Sequence, residues 1–574
     1  MGAVETSPPR WSVLPRDLAA EATLERELGI GSLLARVLVA RGLTDPAEAS
    51  RFLKPEIENL HDPRLLPDYD RARDVLLDAR DRKLSIFVHG DYDVDGVTSA
   101  ALFTRYLQNI GCEVTTHVPH RQREGYGIHM MAVEYAKEAG AEVFLTCDCG
   151  TAAIAQVELA RSHGMRVVVT DHHEVGETLP NAEAVINPHR RDSAYPFAEL
   201  SGVGVAFKLG LGLTRELGMP EGGYTRAFAD LAALGTIADV MPLVDENRII
   251  ARFGLGVLPT TRKLGLQALM RKIGIDPGAR VRSWDVGFRL GPRLNAAGRV
   301  DDARTSLDLL LTTDPEVAYR LAETVDANNQ ARRDAQQRIL DEADAMILAD
   351  PRGLPMFIVV AAEGWHPGIV GIVAGRIAER YRRPTIVAGI DAESGMCRGS
   401  ARSVIGFNLA EAIHAFPDLM QGGGHAVAAG CSFAMDQLPA VQEALDGYAR
   451  ARISEEDLIP QVTADLDVEL DELTLESVAE LEQLEPFGRH NPEPILLTHG
   501  ARLESARATR DGKHLQTTWA GPGGTRLDAI GFGMGEGAEA LQPGHAYELL
   551  FEAKLEEWQG RTKVKLTLRD YCLP

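Results

Sequence analysis

The sequence predicts an α/β protein: a parallel, doubly wound sheet domain, a long connecting helix, a second α/β domain and a C-terminal β-barrel. Three observations carry this prediction. Strands and helices alternate from residue 83, a long charged helical run follows residue 313, and short alternating strands dominate after about residue 460. Alternating strands and helices are typical of parallel sheets, and short strands with glycine-rich turns are typical of barrels. At 574 residues the chain is also too long for one hydrophobic core.

Residues 1–75 are predicted to be helical. Apolar residues recur at helical spacing in LERELGIGSLLARVLVARGL. The following DPAEASRFLKP has the pattern of a short capped helix that ends before Pro55. We therefore expect an N-terminal helical segment ahead of the first sheet.

Residues 76–313 are predicted to form the parallel sheet domain. Its strands are expected at LSIFVHG, CEVTTHVP, EVFLTCD and RVVVTDHH. Helices are expected at VTSAALFTRYLQNIG, HMMAVEYAKEAGA, AAIAQVELARSHGM and AFADLAALGTIADVMPL, the last running into a short loop.

Three further regions complete the predicted organisation. Residues 314–349 form a long, highly charged helix, interpreted as a solvated spacer. Residues 350–458 begin with the strand-like MFIVVAAEGW and form a second α/β domain. Residues 459–574 alternate short strands with glycine-rich turns, which favours a small barrel of the OB-fold type.

The totals restrict the possible functions. The net charge of −23 argues against a broad basic surface for nucleic acid, so any nucleic acid must meet a local basic patch or metal ions. The six cysteines form no C-x-x-C pair, and the N-terminus lacks the apolar segment of a secretory signal. These features predict a cytoplasmic protein without membrane attachment.

The motif HGDYDVDG places Asp91, Asp93 and Asp95 at alternate positions, directly before a glycine. This spacing resembles the start of an EF-hand calcium loop. Position 12 of that loop should be a glutamate but is Leu102, and the segment before the motif is strand-like instead of helical. The calcium interpretation is therefore rejected.

Acidic and histidine residues follow several predicted strands. Parallel strands lie about 5 Å apart and bind ligands at their carboxyl ends, so these side chains are expected to converge. Several carboxylates in one crevice repel each other unless cations neutralise them. One aspartate at a strand end is usually a cap or turn residue, but four such ends in one sheet are unlikely by chance. The set comprises His89 with the three aspartates, then Asp148, then Asp171, His172 and His173, and finally Asp239.

Mixed carboxylate and imidazole ligands suit Mn²⁺ or Mg²⁺, with the histidines favouring Mn²⁺. Two such ions a few ångströms apart are suited to phosphoester hydrolysis, where one activates water and the other stabilises the leaving oxygen. The residues alone therefore predict a two-metal hydrolase of phosphoesters.

The motifs HGDYDVDG, TCDCG, TDHH and ADVMPL, in this order, resemble the four motifs of the DHH phosphoesterase superfamily. GSARS at 399–403 and GGGHAVAAG at 422–430 resemble its DHHA1 domain. Within the superfamily, VPHRQREGYG, GPRLNAAGR, EGWHPGIVGIVAGRIAERYRRPTIV and EPFGRHNPEP resemble the RecJ family of bacterial 5′→3′ exonucleases specific for single-stranded DNA. The resemblance covers most of the chain.

The resemblance implies a role for each matching residue. The implied metal ligands are Asp93, Asp95, Asp148, His172 and Asp239, with His89 as a secondary candidate. Asp148 would bridge two divalent ions, Mn²⁺ preferred and Mg²⁺ possible, and His173 would contact the scissile phosphate. The implied catalytic set is thus Asp148, His173, Asp93 and Asp95. Asp91 and Asp171 would orient the ligands.

The resemblance also implies a pocket for the 5′ end of the substrate, where arginine and backbone N–H groups suit a terminal phosphate. The implied pocket residues are Arg121, Arg299, Ser400, Arg402, His425, Gly423 and Gly424. The implied partners are single-stranded DNA with a 5′ end, a single-strand-binding protein and a helicase. The protein itself is expected to be a monomer acting in DNA repair and recombination.

The barrel is expected to hold the single strand by stacking and by a basic groove. Its candidate residues are Trp519, Lys513, Arg526, Lys563 and Lys565. One position departs from the family pattern, because His490 stands in EPFGRHNPEP where a small residue is usual.

Two other functions remain open. A DHH phosphodiesterase could act on short oligonucleotides, cyclic dinucleotides or pyrophosphate, although such relatives generally lack the N-terminal segment and the barrel. The chain could also be a scaffold that binds DNA without cutting it, but the intact set of acidic residues disfavours this.

Overall fold

The structure is a computed structural model that describes residues 10–121, 123–125, 127–558 and 560–573. Contacts divide the described residues into two compact units. The sheet–barrel unit comprises residues 11–291, 310–314 and 461–573, and the middle unit comprises residue 10 with residues 292–309 and 315–460. The domain boundaries predicted from the sequence stay a prediction.

The helices α1 to α19 span, in chain order, Leu18–Leu28, Ser32–Ala40, Pro46–Leu53, Tyr69–Arg82, Val94–Asn109, Met130–Glu138, Ile154–Ser162, Gly202–Glu216, Glu221–Ala238, Asp245–Val257, Leu264–Lys272, Ser283–Asp285, Gly291–Val300, Arg304–Leu311, Pro315–Leu348, Pro367–Tyr381, Leu409–His414, Leu438–Arg450 and Leu475–Leu481. A π-helical turn, Val286–Leu290, separates α12 from α13. The strands β1 to β18 span Arg10–Val13, Ser85–Gly90, Glu113–His117, Val143–Cys147, Arg166–Thr170, Ala184–Ile186, Ile358–Glu363, Thr385–Asp391, Met396–Arg402, Gln421–Gly424, Ala428–Ala434, Gln461–Ala464, Leu466–Asp467, Leu496–Ala508, Leu515–Ala520, Arg526–Gly531, Ala546–Trp558 and Arg561–Cys572.

The first sheet is entirely parallel, with the strand order β3-β2-β4-β5-β6. Helices α6 and α7 cover one face, where Val133 and Val157 pack against Phe87 and Phe144. Helix α5 contacts strands β2 and β3, and helix α8 contacts strands β4 and β5. The chain runs from β2 outward to β3 and then returns past β2 to β4, so the strand order reverses between β2 and β4 and a crevice is expected there at the carboxyl edge.

The N-terminal helices and the barrel share one hydrophobic core. Leu24 and Leu34 belong to the same buried cluster as Trp519 and Phe551. The run with apolar residues at helical spacing forms two helices, because Gly29 ends α1 in the left-handed region (φ 63°) and Gly31 precedes α2.

The middle unit contains a five-stranded mixed sheet in the order β10-β11-β9-β8-β7, in which only β7 and β8 pair in parallel. The long helix α15 is not fully solvated, since Ile339, Leu340 and Ile347 are buried in a core with α16. The spacer predicted from the sequence is therefore also a packed element of this unit.

The barrel strands follow the order β13-β14-β15-β16-β18-β17, and pairing of β14 with β17 closes the sheet. Closure removes free sheet edges in a small β-domain. The predicted fold class, a parallel sheet domain, a long helix, a second α/β domain and a barrel, is confirmed. Among the described residues, no helix has the length and apolar character needed to cross a membrane.

Candidate metal centre and phosphate-binding residues

Four segments bring carboxylates and imidazoles to the carboxyl edge of the parallel sheet. Two groups of side chains have ligand atoms that all lie within 4.8 Å of one another: Asp95, His172 and Asp239, and Asp148, His172 and His173. These side chains follow β2, β4, β5 and α9. Because 144 positions separate the first from the last of them, only the strand order of the sheet makes them neighbours.

Asp95 lies in the first turn of α5 and faces the start of α8. Its Oδ2 accepts a hydrogen bond from Gly202 N at 2.7 Å, and its Oδ1 accepts one from Val203 N at 2.8 Å. The N-terminus of a helix carries unpaired N–H groups and a positive dipole, which favour an anion. Helix α8 therefore fixes both oxygens of Asp95 while leaving their remaining lone pairs available.

Asp148 follows β4 in the left-handed region, with φ 62°. A non-glycine residue rarely adopts this conformation, and such strain concentrates at functional sites. Its side chain packs against Gly202 so closely that a Cβ at position 202 would lie 2.5 Å from Asp148 Oδ1. That oxygen is buried, and no described residue forms a hydrogen bond with it.

His172 Nε2 points into the carboxylates. It lies 3.0 Å from Asp148 Oδ1, 3.7 Å from Asp239 Oδ2 and 3.8 Å from Asp95 Oδ2. Burial and the charge of His173 lower the pKa of His172 to about 4, and its ring also hydrogen-bonds to the backbone of Leu200. A neutral imidazole anchored in this way presents a lone pair to the carboxylates, an arrangement that a shared cation satisfies.

The carboxylates repel one another. Burial and the charge of Asp93 raise the pKa of Asp239 to about 7, opposed by the positive charges of His173 and Arg489. Burial and neighbouring aspartates raise the pKa values of Asp95 and Asp148 well above the ordinary range. A dry site that holds several carboxylates and an unpartnered oxygen fits divalent cations.

Asp171 and His173 form a hydrogen-bonded pair at the end of β5. Asp171 Oδ1 accepts from His173 Nδ1 at 2.8 Å, and Asp171 Oδ2 accepts from Thr151 N at 2.9 Å. Burial alone would raise the pKa of Asp171, but these bonds and the charge of His173 hold it below its usual range. Burial opposes protonation of His173, yet the bond to Asp171 and the nearby carboxylates raise the pKa of His173 to about 9. His173 is therefore a cation at neutral pH.

Asp93 caps α5, where one carboxylate oxygen accepts from Gly96 N at 3.0 Å. Its charge acts on the carboxyl groups of Asp95, Asp148 and Asp239. It is not a member of either close group of ligand atoms, so the structure places it beside the cluster without bringing its oxygens into it.

Asp91 and His89 are both buried, and both form a hydrogen bond with the backbone of Gly127. Asp91 Oδ1 accepts from Gly127 N at 3.2 Å, and burial with the charge of Asp93 raises the pKa of Asp91 to about 7. His89 Nε2 donates to Gly127 O at 3.3 Å, and its ring stacks on His117 and Phe144. The structure does not bring His89 into the ligand cluster.

Sequence reasoning missed the glycines and the helix start that shape the site. Gly202 allows Asp148 to approach, and a Cβ at Gly235 would lie 2.6 Å from Asp95 Oδ1. Ser201 caps α8 by accepting from Gly204 N at 2.9 Å. A serine before a glycine-rich helix start, in SGVGVAFK, was the available signal for an anion-binding helix end.

Of the residues predicted to bind phosphate, Arg121 lies in the sheet–barrel unit. Its guanidinium carbon is 4.9 Å from the centre of the Tyr92 ring, between Asp91 and Asp93 in sequence. Arg121 therefore lies next to the acidic motif.

Arg299, Ser400 and Arg402 lie in the middle unit. Ser400 and Arg402 lie on β9 against α16, where a Cβ at Gly371 would be 3.2 Å from Ser400 Oγ and 3.4 Å from Arg402 Nη2. Arg299 Nη1 donates to Gly368 O at 3.2 Å on the same helix. Burial lowers the pKa of Arg402. The structure thus gathers these three side chains around the glycine-rich start of α16.

The GGGH segment forms edge strand β10 instead of a free loop. A Cβ at Gly422 would lie 2.2 Å from Gly430 O, and one at Gly424 would lie 2.6 Å from Ala428 O. These two glycines are needed by the hairpin itself, whereas Gly423 meets only His414 at 3.6 Å. His425 is exposed next to the end of the strand.

One expectation for the barrel fails. The prediction that Trp519 stacks on DNA is wrong, because its side chain is fully buried and its Nε1 donates to Thr517 Oγ1 at 2.7 Å. The basic residues Arg526, Lys563 and Lys565 form ion pairs with Glu504, Asp528 and Glu556, and the basic groove stays a prediction. A small barrel needs large aromatic side chains to fill its core. Trp519 serves this purpose and is therefore not available to stack on DNA.

Three protein-family models match this chain. The model of the DHH family N-terminal domain matches residues 85–236, the DHHA1 domain model matches residues 354–451, and the RecJ OB domain model matches residues 464–570. The single-stranded-DNA-specific exonuclease RecJ of Bacillus subtilis (strain 168) is 39% identical over 565 residues, which cover 98% of this chain and 70% of that protein.

Two crystal structures of RecJ from Thermus thermophilus are similar over the same extent. The complex with Mn²⁺ has a TM-score of 0.84 at 31% identity and covers 98% of this chain and 80% of that chain. The complex with Mg²⁺ has a TM-score of 0.78 at 30% identity and covers 98% and 78%.

The fold and the acidic sheet edge define a phosphoesterase of the DHH class, with a DHHA1 domain and an appended barrel. Within this class, the chain belongs to the RecJ family.

Proposed function

We propose that this protein is an exonuclease specific for single-stranded DNA that uses two divalent metal ions and acts in DNA repair and recombination. One observation carries the proposal: a buried crevice brings Asp95, Asp148 and Asp239 around the lone pair of His172, and one oxygen of Asp148 has no hydrogen-bond partner there. Membership of the RecJ family supports single-stranded DNA as the substrate.

The metal ligands are proposed to be Asp95, Asp148, His172 and Asp239, with Asp93 completing the set from the cap of α5. Asp148 is the proposed bridge, because its unpartnered oxygen faces His172. Divalent cations bound there would supply the activation of water and the stabilisation of the leaving oxygen. Mn²⁺ is the proposed preferred ion, since histidine is among the ligands.

The remaining side chains position the reacting groups. Asp171 holds His173 in its charged form, and a charged imidazole beside the cluster is suited to contact the scissile phosphate. Asp91 is proposed to support the motif by its bond to Gly127 N. His89 is proposed to be structural, since its ring stacks on two aromatic neighbours.

The polarity is proposed to be 5′→3′, with release of 5′-mononucleotides. The proposed contacts for a terminal 5′ phosphate are those that the family resemblance implies: Arg121, Arg299, Ser400, Arg402, Gly423, Gly424 and His425. The position of Arg121 next to the acidic motif supports the first of them, and the grouping of Arg299, Ser400 and Arg402 at the start of α16 supports the next three. A single-strand-binding protein and a helicase are the proposed suppliers of the substrate in the cytoplasm.

The test is digestion of single-stranded oligonucleotides blocked at either the 5′ or the 3′ end, with Mn²⁺, with Mg²⁺ and with a chelator. We expect Mn²⁺-dependent release of mononucleotides that a 5′ block stops and a 3′ block does not. Preference for dinucleotides over long single strands would instead favour the small-substrate phosphodiesterase. Unchanged release of mononucleotides by Asp148→Ala would contradict the metal assignment.

A further inference from the structure

Three segments of the sheet–barrel unit meet in a ring beside the proposed metal centre: residues 238–243, 283–291 and 485–491. We call them the rim. Leu243 N donates to Arg489 O at 2.8 Å, which joins the first segment to the third. The next contact joins the third segment to the second, because Ser283 Oγ donates to Phe487 O at 2.6 Å.

The second segment also meets the first one next to the proposed ligand Asp239. A Cβ at Gly291 would lie 3.3 Å from the Cβ of Ala238, the residue directly before Asp239. The rim therefore borders the segment that carries Asp239.

Hydrogen bonds from two buried side chains hold the backbone of the third rim segment in place. The buried Arg248 donates to Leu484 O at 2.9 Å and to Glu485 O at 3.1 Å. Asn491 Nδ2 donates to Leu484 O at 2.8 Å and to Pro486 O at 2.9 Å. These bonds satisfy the backbone of residues 484–486 inside the protein, so the outward side chains of the rim rest on a fixed support.

Two large aromatic side chains of the rim face solvent. Trp284 is 56% exposed and Phe288 is 69% exposed. Their ring centroids are 5.6 Å apart and the rings are inclined by only 26°. Phe288 lies in the π-helical turn Val286–Leu290, whose first and last residues are buried. π-Helical turns are rare and occur frequently at functional sites.

The rim also carries a cation. The side chain of Arg489 is exposed, and its charge reaches the carboxyl group of Asp239. Among the residues that the structure describes, no carboxylate lies within ion-pair distance of Arg489. Aromatic faces next to an available arginine are the features that proteins use to hold unpaired nucleotides.

We propose that Trp284 and Phe288 form a stacking platform for unpaired bases of the DNA strand at the metal centre, with Arg489 binding an adjacent phosphate. The proposal rests on the proposed exonuclease function and adds a source of its preference for single strands. Bases in a duplex are already stacked and paired, so their faces are not available to the platform. A protein segment is the competing occupant, but the position of the rim beside Asp239 favours the substrate.

The test compares Trp284→Ala and Phe288→Ala with the ring-preserving Trp284→Phe and Phe288→Tyr in the full-length protein. Each variant is assayed with Mn²⁺ on a 5′-phosphorylated oligothymidylate and on an oligonucleotide of equal length with abasic residues at internal positions. The abasic strand keeps its phosphates and sugars but has no bases to stack.

We expect each alanine variant to raise KM on oligothymidylate by about tenfold, in line with the loss of one stacked base. The ring-preserving variants should stay close to the parent protein. On the abasic strand, the parent should already show a raised KM, and the alanine variants should add little to it. A rise in KM on oligothymidylate without a similar rise on the abasic strand supports the platform.

Equal losses on both strands, or no loss on oligothymidylate, would overturn the proposal and favour a structural role or a protein partner. Met219→Ala is a matched control, since Met219 is also exposed but follows the end of α8 opposite to Gly202. Stabilisation of each variant by Mn²⁺ in thermal unfolding verifies an intact metal centre. If the parent protein cannot degrade oligothymidylate at all, the proposed exonuclease function fails instead, which is a different result.

Discussion

Two groups of buried charges in the sheet–barrel unit are equally shielded from water but differ in their partners. Lys208 and Glu246 have fully buried side chains, and Lys208 Nζ lies 2.7 Å from Glu246 Oε1. Asp95 and Asp148 are buried to the same degree at the sheet edge. The first group is a balanced ion pair, whereas the second crowds several carboxylates around one neutral imidazole, with the cation His173 beside them.

Hydrogen bonding sharpens the contrast. Glu246 also accepts from Tyr195 Oη at 2.5 Å and from His61 N at 2.8 Å, so both of its oxygens are satisfied. Among the residues that the structure describes, Asp148 Oδ1 has no such partner. A buried charge without a partner is costly, and a fold retains such a set where a ligand balances it. The balanced group thus serves the fold, and the unbalanced group is suited to a bound cation.

Removing a charge from the unbalanced group should abolish activity without harming the fold. Asp148→Asn and Asp148→Ala should each lower the Mn²⁺-dependent rate on single-stranded DNA by about 10⁴-fold, because the carboxylate proposed to bridge the metal ions is lost. The asparagine variant is the better match, since asparagine tolerates the left-handed backbone that Asp148 adopts.

The matched measurement is thermal unfolding in the presence of a chelator. Both variants should unfold at the same temperature as the parent or higher, because repulsion among the carboxylates is relieved. A large fall in melting temperature would mean that Asp148 is a structural residue and that the contrast between the two groups is false.

Removing a charge from the balanced group should have the opposite result. Glu246→Ala leaves Lys208 buried and unpaired, which should cost about 3–5 kcal/mol of the free energy of unfolding. Denaturant titration measures this loss. The double variant Lys208→Met with Glu246→Met should lose much less, since a buried ion pair can be replaced by apolar side chains of similar size. A double variant as unstable as Glu246→Ala would contradict this explanation.

The sequence predicted the fold class and the strand ends that meet at the site because both depend on local patterns. Strand-like runs such as LSIFVHG and VFLTC end directly at the acidic motifs, and parallel strands place their carboxyl ends together. The confirmed fold class therefore followed from periodicity and connection lengths.

Other features depend on contacts between distant residues, which no local pattern reveals. The N–H groups that hold Asp95 belong to residues more than 100 positions later, at the start of α8. The burial of Trp519 depends on the N-terminal helices that complete the barrel core. The need for glycine at positions 422 and 424 depends on the hairpin with β11, since a Cβ at either position would collide with that strand.

The residue that orients His173 should have a smaller effect on the reaction rate, and it shares features with both groups of buried charges. Asp171 is buried like the metal ligands, but its oxygens are satisfied like those of Glu246. Asp171→Asn should lower the Mn²⁺-dependent rate by about 10- to 100-fold, as expected for a group that orients a functional side chain. The acidic oxygen that raises the pKa of His173 is also lost, so the alkaline limb of the pH–rate profile should move to lower pH. An unchanged profile would argue against a role for charged His173.

The smallest expected effect is a pH dependence of the metal-free protein. The pKa values of Asp91 and Asp239 are raised to about 7, mainly by burial and by Asp93, and that of His173 is raised to about 9. Between about pH 6.5 and pH 8, these groups bind more protons in the folded state than in the unfolded chain, so the free energy of unfolding falls as pH rises. His172 and His89 have lowered pKa values, about 4 and about 3, and act in the opposite direction. Their effect is largest below the ordinary histidine pKa of about 6.5 and fades above it.

With a chelator present, the melting temperature should therefore fall by a few degrees, on the order of 1 kcal/mol, between those pH values. With Mn²⁺ the fall should disappear or reverse, because the cation binds the deprotonated carboxylates and stabilises the folded state that holds it. Asp239→Asn should weaken both responses, whereas a substitution in the balanced group, such as Lys208→Met with Glu246→Met, should preserve them. Equal pH dependence with and without Mn²⁺ would show that the raised pKa values do not belong to a metal site.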